Sequence, residues 1–177
     1  MQASSHRISN RLLLTLTHRT NLEIMANETI ARALTDILNL NRTSVKGYQE
    51  AAEEVKSVDL KSKLSQFSQQ RAGFVSDLEG YAKQYGIDAS ETNTVESLAT
   101  DAAAAVHRGW INIKSAITGQ DDSAVLEAAE TGEATALKAY ETALSAQDIP
   151  AGAKSVFQQQ HDAILQAKNW LTQNKNK

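Results

Sequence analysis

Four polar side chains fall where apolar ones belong. When the helical segments of this sequence are phased at about 100° per residue, Asn41, Arg71, Glu133 and Gln160 each point along the apolar stripe of a different helix, near its midpoint. Midpoints of antiparallel helices meet midpoints, so the four residues are expected to form one buried layer. A lone carboxylate in a dry interior is very costly, and Glu133 therefore needs a cation or a proton. Arg71 can supply the cation, because its planar fork grips a carboxylate through two parallel hydrogen bonds. Asn41 and Gln160 can complete the hydrogen bonding. The plainer alternative is that Arg71 snorkels to solvent at a bundle edge and Glu133 stays wet.

Carboxylates and histidines within helices also raise the possibility of metal chemistry. Di-iron carboxylate bundles use inward carboxylates from two helices and Glu-x-x-His pairs from two others, because that spacing puts both ligands on one helix face. No Glu-x-x-His pair occurs in the sequence. Glu50, Glu53 and Glu54 lie off the first helix's stripe, and His107 and His161 lie about 100° or more from theirs. Glu133 and, less centrally, Glu130 are the carboxylates placed to point inward. An alternative metal set is therefore Glu130, Glu133 and His107, binding iron or manganese. An arginine at mid-bundle would repel such a cation, and the primary expectation is no metal and no other cofactor. No phosphate-cradling glycine loop and no nucleophile elbow on a strand scaffold is visible.

The elements that must position these residues are helices. Apolar residues recur at spacings of three and four from Asn27 onward. The first helix is predicted from Glu28 to Val55, with Ile30, Leu34, Ile37, Leu38, Val45, Tyr48, Ala52 and Val55 on its stripe. The second spans about Asp59 to Tyr85 and is stopped by Gly86. The third opens at Asn93, with Glu96 three residues later in a capping-box pattern, and closes at Gly119. Asp121 or Asp122 caps the fourth, which carries Leu126, Ala129, Leu137, Tyr140 and Leu144 inward. Asp148 and Pro150 start the fifth, with Val156, Phe157, Ile164, Ala167 and Leu171 inward. Most links are short, which makes successive helices antiparallel. The expected fold is all-α: an antiparallel bundle of about five helices, four long ones forming the core.

Composition agrees with this reading and removes other classes. The chain has 177 residues, one proline, eight glycines and no cysteine. Disulfides, zinc–cysteine sites and thiol nucleophiles are thereby excluded. A formal charge of −3 argues against a nucleic-acid-coating protein. No apolar run approaches the roughly 20 residues of a membrane-spanning helix.

Residues 1 to 24 differ from the rest. They hold three arginines and one glutamate, a net charge of +2, while the remainder carries 15 basic and 20 acidic residues. The Leu12–Leu16 stretch is short for a secretory signal. Residues 1–24 are expected to be a disordered leader, or to precede a true start at Met25. Residues 25–177 are expected to form a single domain.

Three short elements add a resemblance: Gly47-Tyr48-Gln49-Glu50-Ala51-Ala52-Glu53, His107-Arg108-Gly109-Trp110, and Gly132-Glu133 followed by Ala139-Tyr140. Together they resemble an uncharacterised bacterial ferritin-like four-helix-bundle family, a domain of unknown function, over about Thr29 to Trp170. The resemblance implies a ferritin-like fold and a cytoplasmic bacterial setting, and it carries no activity. Gln70 occupies a position at which similar proteins often carry glutamate. Within the His-Arg-Gly-Trp element, Gly109 is expected to permit close helix approach and Trp110 to cover a seam, with a ligand or partner site at His107 as the alternative.

The expected function is a non-enzymatic, ferritin-like helical-bundle protein whose buried polar layer replaces a di-metal site and serves structure or partner binding. Two alternatives stand beside it: a metal-binding ferritin-like oxidase or iron-handling protein, and a self-associating stress or scaffold protein. The expected partners are an unknown protein or a second copy, with no nucleic acid and no membrane span.

Overall fold

A computed structural model describes the backbone of residues 3–87 and 121–176, and the side chains of residues 28–87 and 121–176. Among these residues the chain forms four helices: α1 (Ala3–Glu54), α2 (Val58–Gln84), α3 (Asp122–Ser145) and α4 (Ala151–Asn174). The helix expected from Asn93 to Gly119 lies outside the described residues, and the expected count of about five becomes four among those described.

Helix α1 starts at Ala3 rather than near Glu28, where the apolar periodicity places it. The reason is local: neither glycine nor proline occurs before Gly47, so nothing in the chain halts helix propagation there. The backbone therefore passes Met25 without a break. The described core begins at Ile30 and runs through Leu34, Ile37 and Leu38, all at most 1% exposed.

The helix ends are set by their side chains. Ser57 caps α2, its side-chain oxygen accepting from the Leu60 amide. At the far end of α2, Gly86 adopts φ +67°, the left-handed conformation that glycine reaches without a Cβ clash. The Ile87 amide then donates to Ala82 O at 2.8 Å and the Gly86 amide to Lys83 O at 3.2 Å, the paired bonds of a Schellman stop. Asp121 caps α3 by accepting from the Ser123 amide at 3.0 Å. Pro150 stands just ahead of α4, and its carbonyl accepts that helix's first bond, from the Lys154 amide.

Cross-helix contacts fix the directions. Val45 O accepts from Ser68 and Arg42 pairs with Glu79, so α1 and α2 are antiparallel. Tyr48 reaches Glu133 and Asn41 reaches Tyr140, so α1 and α3 are antiparallel as well. Tyr140 meets Gln160 and Glu130 meets Thr172, which reverses α4 against α3. Phe67 packs edge-on against Trp170, and Gln160 donates to Phe74 O, which sets α4 against α2. Helices α2 and α3 consequently run parallel, on opposite corners of the bundle. The chain leaves one end of the bundle at Ile87 and re-enters at the other at Asp121. That second end is clamped: Asp122 accepts from the Lys56 and Ser57 amides at 2.8 and 3.2 Å, tying the start of α3 to the α1–α2 turn.

Candidate functional site

Asn41, Arg71, Glu133 and Gln160 are each at most 2% exposed. Each comes from a different helix, and the apolar stripe that buries its neighbours carries it into the interior. Arg71 on α2 and Glu133 on α3 meet across the bundle diagonal, with Arg71 Nη2 donating to Glu133 Oε2. The bridge is made by one nitrogen, not by the two-pronged grip the sequence suggests. The geometry has a simple cause: the second carboxylate oxygen, Oε1, accepts instead from the Tyr48 hydroxyl. The guanidinium carbon lies 5.2 Å from the Phe74 ring centroid, so the ring face supports the same charge.

A second chain of hydrogen bonds lies about two helical turns away, since Asn41 and Tyr140 are each seven residues from Tyr48 and Glu133 on the same helices. Asn41 Nδ2 donates to Tyr140 Oη at 2.7 Å and to Ile37 O at 2.8 Å. The Tyr140 hydroxyl donates onward to Gln160 Oε1 at 2.7 Å. Gln160 Nε2 ends the chain on Phe74 O at 3.5 Å, a long contact. Phenylalanines hold both phenols in place: Phe67 lies 5.4 Å from Tyr48 between ring centroids, and Phe157 lies 6.4 Å from Tyr140.

Tyr48 and Tyr140 are as much part of this layer as the four residues singled out by helical phase. Apolar periodicity assigns both to the hydrophobic stripe. The available signal was chemical, since a fully buried phenol needs a hydrogen-bond partner. Of the sequence elements, Gly47 and Tyr48 are buried in α1. His107, Arg108, Gly109 and Trp110 lie outside the described residues.

The layer's electrostatics favour a fixed pattern of charge. Burial opposes the Arg71 cation, but Glu133, followed by Tyr48, more than offsets this and raises its pKa above the ordinary value. Burial, then the negative charge of Glu133, holds the Tyr48 phenol well above its usual range. Burial raises Tyr140 too, against the opposing pull of its Asn41 bond and the Arg71 charge. Both tyrosines are thus neutral hydrogen-bond donors across the physiological pH range.

Not every polar atom is matched. Arg71 Nε and Nη1, Asn41 Oδ1 and, beside the layer, Gln70 Oε1 are buried without a hydrogen-bond partner among the described residues. A buried polar group left unmatched costs about 1–3 kcal/mol.

The alternative metal set is not assembled by these contacts. Glu133 Oε1 and Oε2 are engaged by Tyr48 and Arg71. Glu130, expected near the inward face, sits at the α3–α4 edge, where Lys175 Nζ binds it at 2.5 Å and the Thr172 hydroxyl at 2.7 Å. One helical turn separates it from the layer, and the Lys175 bond, followed by Thr172, pulls its pKa down. Among the described residues no group of three or more His, Asp or Glu side chains is arranged to hold a metal. The donor set around Arg71 therefore does not fit a di-metal centre. His161 is half-buried beside Asp162, 3.1 Å away, outside the layer. No described helix is long and apolar enough to cross a membrane.

Among the described residues the fold and site define an all-α, four-helix bundle with two buried groups of hydrogen-bonded polar side chains, one of them holding the Arg71–Glu133 ion pair. The profile of a family described as a domain of unknown function, DUF2383, matches residues 29–146, and the chain belongs to that family. The match contains α3 entire, all of α2, and the part of α1 that carries Asn41 and Tyr48. Gln160 and the rest of α4 lie beyond it. No curated protein matches the chain.

Proposed function

We propose that this is a non-enzymatic, ferritin-like bundle protein in which an ionic hydrogen-bond layer takes the place of a di-metal centre. The carrying observation is the Arg71–Glu133 bridge across the bundle diagonal, buried to 0% and 1% side-chain exposure. It puts a permanent cation where a metal would need anionic or neutral ligands. The helix directions support the ferritin-like part: α2 and α3 run parallel on opposite corners of the bundle, an arrangement that ferritin-like folds share. The layer's role in this reading is to fix helix register. An ion pair joining two diagonal helices, with Tyr48 of α1 on the same carboxylate, matches its partners in one alignment alone, at a desolvation cost that apolar packing would avoid. In this reading a protein partner or a second copy of the chain is met by the outside of the bundle, not by the buried polar residues. The bacterial, cytoplasmic setting rests on the family resemblance.

Metal analysis tests the reading. Protein purified without chelator is expected to carry substoichiometric iron and manganese and to consume no oxygen on addition of ferrous iron. Stoichiometric metal with oxygen uptake would overturn it in favour of the iron-handling alternative, with Glu130, Glu133 and His107 as the residues to substitute.

A further inference from the structure

We propose that Trp170, Phe67 and Tyr48 form a one-electron relay from surface to core, with Glu133 taking up the Tyr48 proton. The route is continuous in space. Trp170 is half-buried near the end of α4, where an oxidant in solvent reaches its exposed part. The Phe67 ring packs edge-on against Trp170, with 5.7 Å between centroids, and tilts against Tyr48 at 5.4 Å. Tyr48 is fully buried, and its hydroxyl donates to Glu133 Oε1. Two ring-to-ring steps thus join the surface to a phenol that solvent does not touch.

The charges along the route give it a direction. Lys63 Nζ lies 5.6 Å from the Trp170 ring centroid and 4.9 Å from that of Phe67, and a cation over a ring face opposes removal of an electron from it. At the inner end the phenol meets a carboxylate base. Loss of an electron makes a phenol proton strongly acidic, so an acceptor already hydrogen-bonded to it takes the proton as the electron leaves. The initiating reagent is a small radical that takes one electron from the Trp170 indole, whose N–H proton goes to solvent. The transfer then balances. The Trp170 radical gains an electron from Tyr48 and a proton from solvent, Tyr48 becomes a neutral phenoxyl radical, and the phenolic proton passes to Glu133 Oε1. Glu133 is now uncharged and Arg71 stands without its counter-ion, so the proton stays only until the phenoxyl radical is reduced. Tyr140, the other buried phenol, has no such base, because its hydroxyl donates to the Gln160 amide oxygen. The relay stands on these contacts, whether or not the ion pair replaces a metal centre.

Pulse radiolysis of the full chain tests the relay, with azide radicals as the oxidant because at neutral pH they attack indoles in preference to phenols. The tryptophan-radical absorbance is expected to decay as the tyrosyl-radical absorbance rises. This conversion should be first order, independent of protein concentration and slower in heavy water. The Y48F and W170F variants, each checked for folding by helical circular dichroism, are both expected to lose most of its amplitude. Absence of the conversion in the unaltered chain would overturn the proposal. So would its survival, at unchanged rate and amplitude, in either folded variant.

Discussion

Arg71 and Glu133 were legible from helical phase because a charged residue at the centre of an apolar stripe has few ways to be satisfied. The tyrosines were not, because a phenol sits as comfortably in an apolar stripe as a phenylalanine until its hydroxyl must be matched. Their environment makes an alkaline prediction. Tyr48 and Tyr140 have folded pKa values above the ordinary value near 10, Tyr48 well above. A raised folded pKa contributes stability that is complete below the unfolded pKa and is lost as pH rises from about 10 toward the folded value. Ionisation of these two phenols, followed by absorbance near 295 nm, should therefore coincide with the loss of helical circular dichroism. In the Y48F variant the Tyr48 contribution disappears from that step, while Glu133 Oε1 loses its donor at a cost of about 1–3 kcal/mol. A phenol step completed well before unfolding would contradict this assignment.

At the scale of elements, boundaries marked by a glycine or a capping side chain were easier to place than one marked by apolar periodicity alone. Gly86 ends α2 through a conformation written into its side-chain type, and Asp121 caps α3 through its carboxylate. The start of α1 was misplaced because apolar periodicity marks where a helix is buried, whereas its extent depends on what interrupts the backbone. The Gly86 stop can be measured. A Cβ at this position meets no atom within 4 Å, so the cost of Gly86→Ala is conformational, not steric crowding by neighbours. Forcing an L-residue to φ +67° should destabilise the protein by roughly 1–2 kcal/mol. Urea unfolding is expected to show a lower midpoint with an unchanged slope. An unchanged midpoint would mean that the stop at α2 does not depend on the left-handed glycine.

At the scale of the whole molecule, the antiparallel bundle followed from short links and helical periodicity, but the parallel pairing of α2 with α3 came from contacts between distant residues. That pairing places Arg71 and Glu133 on diagonal helices, where their bridge reaches through the centre of the bundle. A double-mutant cycle at these two residues tests the account most directly, by chemical unfolding in chelator and again with added ferrous iron. Arg71→Met leaves a buried carboxylate without its cation and should cost about 3–5 kcal/mol. Adding Glu133→Leu should restore most of that loss, giving a large coupling energy, since an apolar pair of similar volume needs no compensation. Iron should change none of these values. Small, additive effects, or iron binding that tightens when Arg71 is removed, would contradict the claim that this ion pair holds the centre of the bundle in place of a metal.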